Sequence, residues 1–463
     1  MKRNIILPAV FGLIAVWSAV AAPSVDFARV IRPMKPEHGI GQPPKRSLDM
    51  SMFHYLKEAG IPYSRLHDVG GWHGQNMFVD IPNVFRDFDA DENDPANNEF
   101  EFTDILIKAL VENDVEPVYR LGITIENFFK IKRLRSFPPK DYAKWARICE
   151  HVIRHYTEGW ANGFRYKMTY WEIWNEADRP EGEGPLWSAS FDEFCRFYEV
   201  AASHLKAKFP HLKIGGFAAT GLYEIVRPGL RPRDAFTRKC VDDFFAYVKA
   251  HGCPLDFFSI HAYDTPGLPL RPDGVTAYGK YCREGLDRIG YGHTELSFNE
   301  WLPRHTGAPG SAKQAAMIAA ILIALQDSAF DTAMIYDGRV GMGLYSPLFS
   351  PETTKPRRAY WAMCDFNELY RLGSQVAVNG LPEGVYAIAA TDGKGVGKVF
   401  AANVGEGEAP FEVAAPDGWR LFSVQLTDED HFNTVVAPPK SLPPDSFAVF
   451  TFVKTVGAQL QEV

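Results

Sequence analysis

The most constraining feature of this sequence is a regular alternation of short apolar, strand-like runs with longer amphipathic segments. This alternation is typical of parallel βα units, because parallel strands need a long crossover that is usually a helix. The strand-like runs occupy residues 62–68, 117–122, 168–175, 213–217, 255–263, 294–300 and 331–337, and an eighth lies near residues 27–32 or just beyond. Apolar residues at helical spacing mark residues 141–156, 191–209, 234–251, 311–326 and 357–372.

Eight such units predict an α/β protein with a closed (β/α)8 TIM barrel. A doubly wound open sheet has the same alternation, but no glycine-rich phosphate loop follows the first strand. After residue 373 the pattern changes to short alternating stretches separated by Gly, Pro and Asp, which predict an antiparallel β-sandwich. We therefore assign residues 22–372 to the barrel and residues 373–463 to a C-terminal sandwich, which we interpret as a brace or lid rather than a carbohydrate-binding module.

The first residues have the pattern of a signal peptide. Lys2 and Arg3 precede an apolar run at residues 5–17, and Ala19-Val20-Ala21 fits the small-residue cleavage rule. The run is shorter than the roughly 20 residues of a membrane-spanning helix. We expect residues 1–21 to be removed and the protein to be exported, to the periplasm or the extracellular space, without a membrane span.

Charge and cysteine content exclude several classes of partner. The net charge is -8, and we find no basic tract for nucleic acid or anionic lipid, so we expect a neutral partner. The six cysteines are widely spread and form no CxxC pair, which argues against zinc and leaves free thiols or disulfides open. The acidic segment at residues 87–94 does not match a calcium loop, and we interpret it as solvated. We predict no metal and no cofactor.

Two carboxylates carry the predicted chemistry. Glu176 follows the fourth strand in the run Trp-Asn-Glu, and Glu300 ends the seventh strand, about three βα units later. Active sites of such barrels gather at the C-terminal strand ends, and strands four and seven face each other across the mouth. Retaining glycosidases need two carboxyl groups ~5–5.5 Å apart. The sequence therefore predicts a retaining glycoside hydrolase with Glu176 as general acid/base and Glu300 as nucleophile.

These motifs resemble the glycosidases of clan A and, within it, glycoside hydrolase family 39, the family of β-xylosidases and α-L-iduronidases. The resemblance covers most of the barrel. It rests on WEIWNE at residues 171–176, FFSIHAYD at 257–264, YSRLHD at 63–68, PVYRLG at 117–122, and Lys-Pro at 355–356 before the last helix.

The resemblance implies further site residues. Asn175 would bind the sugar 2-hydroxyl, and His261 and Tyr263 would lie beside the nucleophile. The family usually carries its nucleophile in a Thr-Glu-aromatic motif, so Glu295, which follows a threonine, competes with Glu300 for the role. We prefer Glu300, because Glu295 begins its strand and is expected near the barrel bottom. Asn-Glu-Trp also resembles nucleophile motifs of arabinofuranosidases in clan A, so furanose substrates remain open.

Further substrate contacts are predicted for aromatic and histidine side chains near the strand ends. Trp174, Trp301 and Tyr263 suit a saccharide pocket, because sugar rings stack on aromatic faces, although large aromatics in barrels are also core residues. His67 ends the second strand and has either a binding or a structural role.

The sequence thus predicts a hydrolase that cleaves O-glycosidic bonds of a plant or microbial oligo- or polysaccharide, exo-acting on a pentose-type sugar. Two alternatives use the same residues: a catalytically silent carbohydrate-binding barrel and a transglycosylase. Retention of both carboxylates argues against the silent barrel. The sugar, its anomeric configuration and the oligomeric state are not determined by the sequence.

Overall fold

The computed structural model describes residues 22–44, 51–66, 79–123, 136–180 and 186–455. Eight parallel strands close into a barrel, and a seven-stranded antiparallel sheet forms a second unit. The predicted fold class is confirmed: a (β/α)8 barrel is joined to an antiparallel sheet domain.

The barrel strands follow each other around the barrel in chain order, and the last one pairs with the first. In the chain, the strand β1 (Ser24–Pro33) precedes the barrel strands, and the helix α10 (Arg358–Tyr370) follows them. The strands are β2 (Gly39–Gly41), β3 (Tyr63–Leu66), β4 (Glu116–Leu121), β5 (Tyr170–Ile173), β6 (Lys213–Ala219), β7 (Phe257–Tyr263), β8 (Glu295–Leu302) and β9 (Thr332–Tyr336). They are buried almost throughout, because side chains fill the barrel and helices cover its outside.

The remaining helices cover the barrel and begin with sequence signals that explain their positions. They are α1 (Phe53–Glu58), α2 (Ile81–Val84), α3 (Glu101–Glu112), α4 (Tyr142–Thr157), α5 (Phe191–Lys208), α6 (Tyr223–Val226), α7 (Pro232–His251), α8 (Pro272–Ile289) and α9 (Ala312–Asp327). The side chains of Asp141, Ser190 and Ser311 accept backbone N–H groups at the starts of α4, α5 and α9. Proline occupies the first position of α7 and α8, where no intrahelical N–H bond is lost.

The sequence placed the first barrel strand near residues 27–32 or just beyond, and the structure has it just beyond. β2 begins at Gly39, whereas Ser24–Pro33 forms β1 and pairs antiparallel with the C-terminal sheet. The assignment of residues 22–33 to the barrel is therefore corrected. The physical reason is visible in the burial pattern: Val25 and Phe27 are buried while Ser24 and Asp26 are exposed, as in a sheet with one solvated face.

The second unit is a sheet whose two faces pack against different partners. Its strands lie in the order β1, β10 (Ser374–Asn379), β11 (Val385–Thr391), β12 (Val396–Asn403), β17 (Ser446–Lys454), β14 (Trp419–Thr427) and β15 (Thr434–Val436). A two-stranded sheet, β13 (Ala409–Pro410) with β16 (Ser441–Leu442), contributes to the core on one face together with Phe450. The other face, which includes Phe400 and Val449, belongs to the barrel core.

The helix α9 explains how the two units are joined. Most of its residues are buried, including the run from Ala315 to Ile323, so it has no solvated stripe. A helix that is apolar all round is buried on more than one side. It lies between the barrel and the strands β11, β12 and β17. Among the described residues, no helix is long and apolar enough to cross a membrane.

Cysteines and the acidic segment have local structural roles. All six cysteines are free thiols, and only Cys364 is partly exposed. In the acidic segment at residues 87–94, Asp87 and Asp91 accept backbone N–H groups of Asp89 and Asn93.

A buried ion pair lies at the N-terminal ends of the strands, opposite the barrel mouth. Lys35 Nζ donates to the carbonyls of Leu325 and Ser328 and lies 3.5 Å from Glu37 Oε1. Glu37 is fully buried, and neither carboxylate oxygen accepts a hydrogen bond from the described residues. Burial raises the pKa of Glu37 to about 7, with a smaller contribution from Asp331 and a partial offset by Lys35.

This pair predicts a pH-dependent stability difference for Glu37→Gln. The pKa of Glu37 is higher in the folded state than its ordinary value of 4.5, so the folded state binds the proton more tightly than the unfolded state does. This contribution to the unfolding free energy is fully present below pH 4.5 and is lost as the pH rises to about 7. Glutamine has no such loss. The variant should match the wild type near pH 4 and exceed its unfolding free energy by about 3 kcal/mol above pH 8, as measured by denaturant unfolding.

Glu383→Gln is the matched control, because it removes an exposed carboxylate that water solvates in both states. Its stability should follow that of the wild type across the same pH range. Parallel curves for Glu37→Gln and the wild type would contradict the assignment.

Candidate active site

The predicted site residues come together at the C-terminal ends of the barrel strands. Asn175 and Glu176 follow β5, His261 and Tyr263 end β7, and Glu300 lies near the end of β8. All but Tyr263 are buried, with 8% of Glu176 and 6% of Glu300 exposed. The polar groups of the site are therefore largely shielded from bulk water.

A strained turn presents Glu176. Trp174 and Glu176 adopt left-handed backbone conformations with φ of 68° and 47°, which are unusual for residues other than glycine. The Glu176 N–H donates to Ala218 O on β6 at 3.0 Å. Because the turn interrupts the alternation of the strand, Asn175 and Glu176 reach the same pocket, although strand parity alone would separate them.

A bulge presents Glu300. Along the pair of β7 and β8, Ile260 lies opposite Phe298, but the next residue, His261, lies opposite Glu300. Asn299 is the extra residue in β8. A bulge changes the direction of the following side chains, and here both Asn299 and Glu300 contact groups inside the barrel.

Arg65 on β3 connects the site. It is fully buried, and its guanidinium donates from Nε to Glu172 at 2.6 Å, from Nη1 to Glu300 at 3.1 Å and from Nη2 to Asn175 at 2.7 Å. Sequence reasoning missed Arg65 and Glu172. A signal existed, because each charged residue lies within an apolar strand, where a charge needs a partner.

Glu172 holds this arginine and stays ionised. Besides the Arg65 bond, it accepts hydrogen bonds from Ser259 Oγ at 2.6 Å and Asn299 Nδ2 at 2.5 Å. Burial alone would raise the pKa of Glu172, but Arg65 and the Ser259 hydroxyl outweigh it, and the pKa lies below its ordinary value. The buried Arg65 charge is thus compensated before the substrate enters.

Glu300 has contacts with three side chains from two strands, β3 and β7. Arg65 binds Oε2, the Tyr263 hydroxyl donates to Oε1, and His261 Nε2 lies 3.5 Å from Oε2. Burial and then the Glu300 charge raise the pKa of Tyr263 well above its ordinary value, so its hydroxyl remains a donor. His261 Nδ1 lies 2.8 Å from Glu176 Oε1, so the imidazole lies between the two glutamates.

The two glutamates are close enough to act on one bond. Ligand atoms of Glu176, His261 and Glu300 all lie within 4.8 Å of one another. This fits the ~5–5.5 Å of retaining enzymes and not the ~6.5–9.5 Å of inverting ones. Among the described side chains, these three are also the group that would ligate a metal ion, although Arg65 already compensates the Glu300 charge.

Asp178 fixes the loop that carries Glu176. Both of its carboxylate oxygens accept the Thr220 N–H, at 3.1 and 3.0 Å, so the loops after β5 and β6 are tied together. Burial raises the pKa of Asp178 to about 7, the Thr220 N–H lowers it, and the charge of Glu176 contributes to the rise.

Other predicted residues lie elsewhere. Trp174 packs among Trp145, Trp187 and Phe197 and donates its indole N–H to Leu186 O, so its predicted sugar contact is wrong. Trp301 is also fully buried and stacks on Phe298, which contradicts its predicted role in the pocket. Both side chains belong to the core between barrel and helices.

His67 lies outside the described residues. Glu295, the competing nucleophile, begins β8 and pairs with Lys213, while Tyr170 donates to it at 2.8 Å. It therefore lies at the opposite end of its strand from Glu300.

Comparison with known proteins relates part of the barrel to a known family. Residues 46–269 match the family described as glycosyl hydrolases family 39. Over these residues the chain is similar to glycosyl hydrolase family 39. A β-xylosidase from Geobacillus stearothermophilus is 27% identical to this chain over 205 residues, or 41% of the chain. A β-xylosidase from Caldicellulosiruptor saccharolyticus is 27% identical over 217 residues, or 45% of the chain.

These alignments span only 35 and 38% of the curated relatives' own lengths. The fold similarity is more extensive. A glucosidase structure from Croceicoccus marinus superposes with a TM-score of 0.74 at 20% identity, covering 95% of this chain and 100% of that one. The fold of a barrel with a sheet domain therefore recurs in that structure.

Within this candidate site, we expect Tyr263→Phe to lower kcat/KM for an aryl glycoside by about 10- to 100-fold, because a hydrogen bond to a charged group contributes ~1.5–3 kcal/mol. Tyr345→Phe is the control, since its ring lies 5.3 Å from that of Tyr263 but no described contact joins it to Glu300. Steady-state kinetics measure both. Equal losses in the two variants would show that ring packing, and not the hydrogen bond, supports activity.

Proposed function

We propose that the protein is a retaining glycoside hydrolase in which Glu300 is the nucleophile and Glu176 the general acid/base. The observation that carries the proposal is that one carboxylate oxygen of Glu176 lies within 4.8 Å of one of Glu300 across the barrel mouth. That spacing leaves no room for a water molecule between Glu300 and the anomeric carbon, so direct attack by the carboxylate is favoured.

In the first step, Glu300 attacks the anomeric carbon while protonated Glu176 donates its proton to the leaving oxygen. Arg65 and Tyr263 each hydrogen-bond one oxygen of Glu300, which fixes the carboxylate and favours its ionised form. In the second step, Glu176 removes a proton from water, and the water oxygen displaces Glu300 from the sugar. The sugar leaves with its original configuration.

The neighbouring residues orient this reaction. Arg65 holds the Asn175 side-chain oxygen, so the amide nitrogen is directed away from the arginine and serves as a donor to the sugar 2-hydroxyl. His261 contacts Glu176 and lies near Glu300, and it holds the two carboxylates in a fixed relative position. No cofactor takes part in the proposed steps.

We propose a terminal pentose, as in a β-xyloside, as the substrate. Two curated relatives are named β-xylosidases, and the low exposure of both glutamates suits an enclosed pocket for a chain end more than an open groove. Hydrolysis of aryl xylosides, arabinosides, galactosides and uronides would test the sugar. Product analysis with an added sugar acceptor separates hydrolysis from transglycosylation by the same pair.

Because the two glutamates have separate proposed roles, their alanine variants should differ in activity and in the products formed with azide. Glu176→Ala should retain activity on dinitrophenyl glycosides, whose leaving group needs no proton, and azide should accelerate its second step and give a glycosyl azide of retained configuration. Glu300→Ala should lose retaining hydrolysis on every substrate, and azide should give the inverted product. NMR of the products decides between them. Wild-type rates of Glu176→Ala on unactivated glycosides would contradict the acid/base assignment.

We also propose that the protein is exported, to the periplasm or the extracellular space. The support is the charged, apolar and small-residue order of residues 1–21. Expression of the full sequence in a Gram-negative host should give a periplasmic or secreted product beginning near Ala22, as measured by N-terminal sequencing. A cytoplasmic product that keeps Met1 would contradict this.

A further inference from the structure

The side chain of Arg179 contacts the proposed general acid/base. Its Nη1 donates to Glu176 Oε2 at 3.4 Å. Within the described ranges of the chain, Glu176 is the only residue that the Arg179 side chain bonds or pairs with. A charge-assisted N–H···O bond is normally ~2.7–2.9 Å long, so this contact is a loose one. The proposed mechanism leaves Arg179 without a role.

The two carboxylate oxygens of Glu176 have different surroundings. Oε1 lies 2.8 Å from Nδ1 of His261, which is fully buried. Oε2 faces Arg179, whose side chain is 27% exposed. A leaving group reaches the acid and departs from it on a side that opens to solvent. Oε2 is therefore the oxygen placed to deliver the proton, and Arg179 lies beside it.

This contact puts Arg179 on the leaving-group side of the reaction. A general acid lies ~2.6–3.2 Å from the oxygen that it protonates. Because Arg179 Nη1 is 3.4 Å from Glu176 Oε2, it lies no more than about 7 Å from the leaving oxygen. A sugar ring attached through that oxygen presents its neighbouring hydroxyl groups within this range.

The turn that carries Arg179 is held in place. The Arg179 N–H donates to the Glu176 carbonyl at 3.3 Å, and Asp178 between them accepts the Thr220 N–H at 3.1 and 3.0 Å. The backbone at residue 179 is thus fixed, while its side chain reaches solvent. Of the five N–H donors of a guanidinium, the described contacts use one, so the others can serve hydroxyl oxygens.

We propose that Arg179 is the specificity-determining residue for the leaving group and that it binds hydroxyl oxygens of a saccharide leaving group. This inference rests on the proposed function and names the class of group that is released first. When Glu176 is protonated, it no longer carries the charge that attracts Arg179, and the guanidinium binds the hydroxyls of the departing sugar instead. Substrates with a saccharide on that side are therefore preferred over those with a plain alcohol or aryl group.

The test measures how the glycosyl-enzyme divides between water and an added acceptor. An acceptor occupies the position of the leaving group, because transfer reverses the first step. Its hydroxyl oxygen bonds to the anomeric carbon, its proton goes to Glu176, and the bond to Glu300 breaks. The donor is 2,4-dinitrophenyl β-xyloside, and the acceptors are methyl β-xyloside and methanol, which has no second hydroxyl.

Arg179→Gln should lower the ratio of transfer to hydrolysis for methyl β-xyloside by about three- to tenfold, the range of one hydrogen bond from a charged donor that water can partly replace. The ratio for methanol should not change. Because a product ratio is independent of the overall rate, a general loss of activity does not alter it. Equal falls for both acceptors would show that Arg179 acts only through Glu176, which would overturn the leaving-group contact.

Arg238→Gln is the matched control, because Arg238 is also a partly exposed arginine beside a carboxylate, 3.8 Å from Asp242, and it lies on α7 without contact to Glu176. It should change neither product ratio. If it lowered the methyl β-xyloside ratio as much as Arg179→Gln does, the effect would be one of general charge and the contact would be rejected.

An equilibrium measurement separates this inference from the proposed function. Glu176→Gln replaces the acid with a neutral amide and removes the charge that attracts Arg179. In this background, calorimetry should show that Arg179→Gln weakens binding of the S-linked analogue of xylobiose, which resists hydrolysis, by about three- to tenfold. Binding of phenyl 1-thio-β-xyloside, whose leaving group has no hydroxyl, should weaken less.

The two proposals can then fail separately. Binding of the S-linked analogue that depends on Arg179, in a protein that hydrolyses no aryl glycoside, would overturn the proposed function and keep the leaving-group contact. Hydrolysis by the wild type, with equal binding of the analogue whether or not Arg179 is present, would overturn the contact and keep the function. Absence of both binding and hydrolysis would overturn both.

Discussion

The organisation of the site depends on one buried cation. Arg65 projects from β3 into the barrel and joins Glu172 on β5, Asn175 after β5 and Glu300 on β8. Removing a charge from water is costly unless its partners are already in place, and Glu172 meets that condition with hydrogen bonds from Ser259 and Asn299. The arginine thus connects strands that are far apart in sequence, and it joins Glu300 to Asn175, the residue next to Glu176.

Local backbone irregularities complete the geometry that Arg65 anchors. The left-handed turn at Trp174 and Glu176 and the bulge at Asn299 both re-aim side chains at the barrel mouth. Such features cost free energy and persist only where surrounding contacts hold them. Here the contacts are the Glu176 N–H bond to Ala218 and the tie between Asp178 and Thr220.

The two ends of the barrel have separate physical tasks. At the N-terminal ends of the strands, Lys35 and Glu37 lie among the carbonyls that end α9, close to the joint with the sheet domain. At the mouth, the proposed carboxylate pair, Glu176 and Glu300, lies on either side of His261.

The sequence by itself determined the barrel, the sheet domain and the two carboxylates, because these follow from local periodicity and from the position of Glu176 and Glu300 at strand ends. Only the tertiary structure decided that β1 pairs with β10 of the sheet domain and that the side chains of Trp174 and Trp301 pack against other aromatic rings. It also decided that Arg65 connects the residues of the site. The reason is physical. Strand parity predicts the direction of a side chain only until a turn or a bulge interrupts it, and partners of a buried charge come from strands that fold together only in the closed barrel.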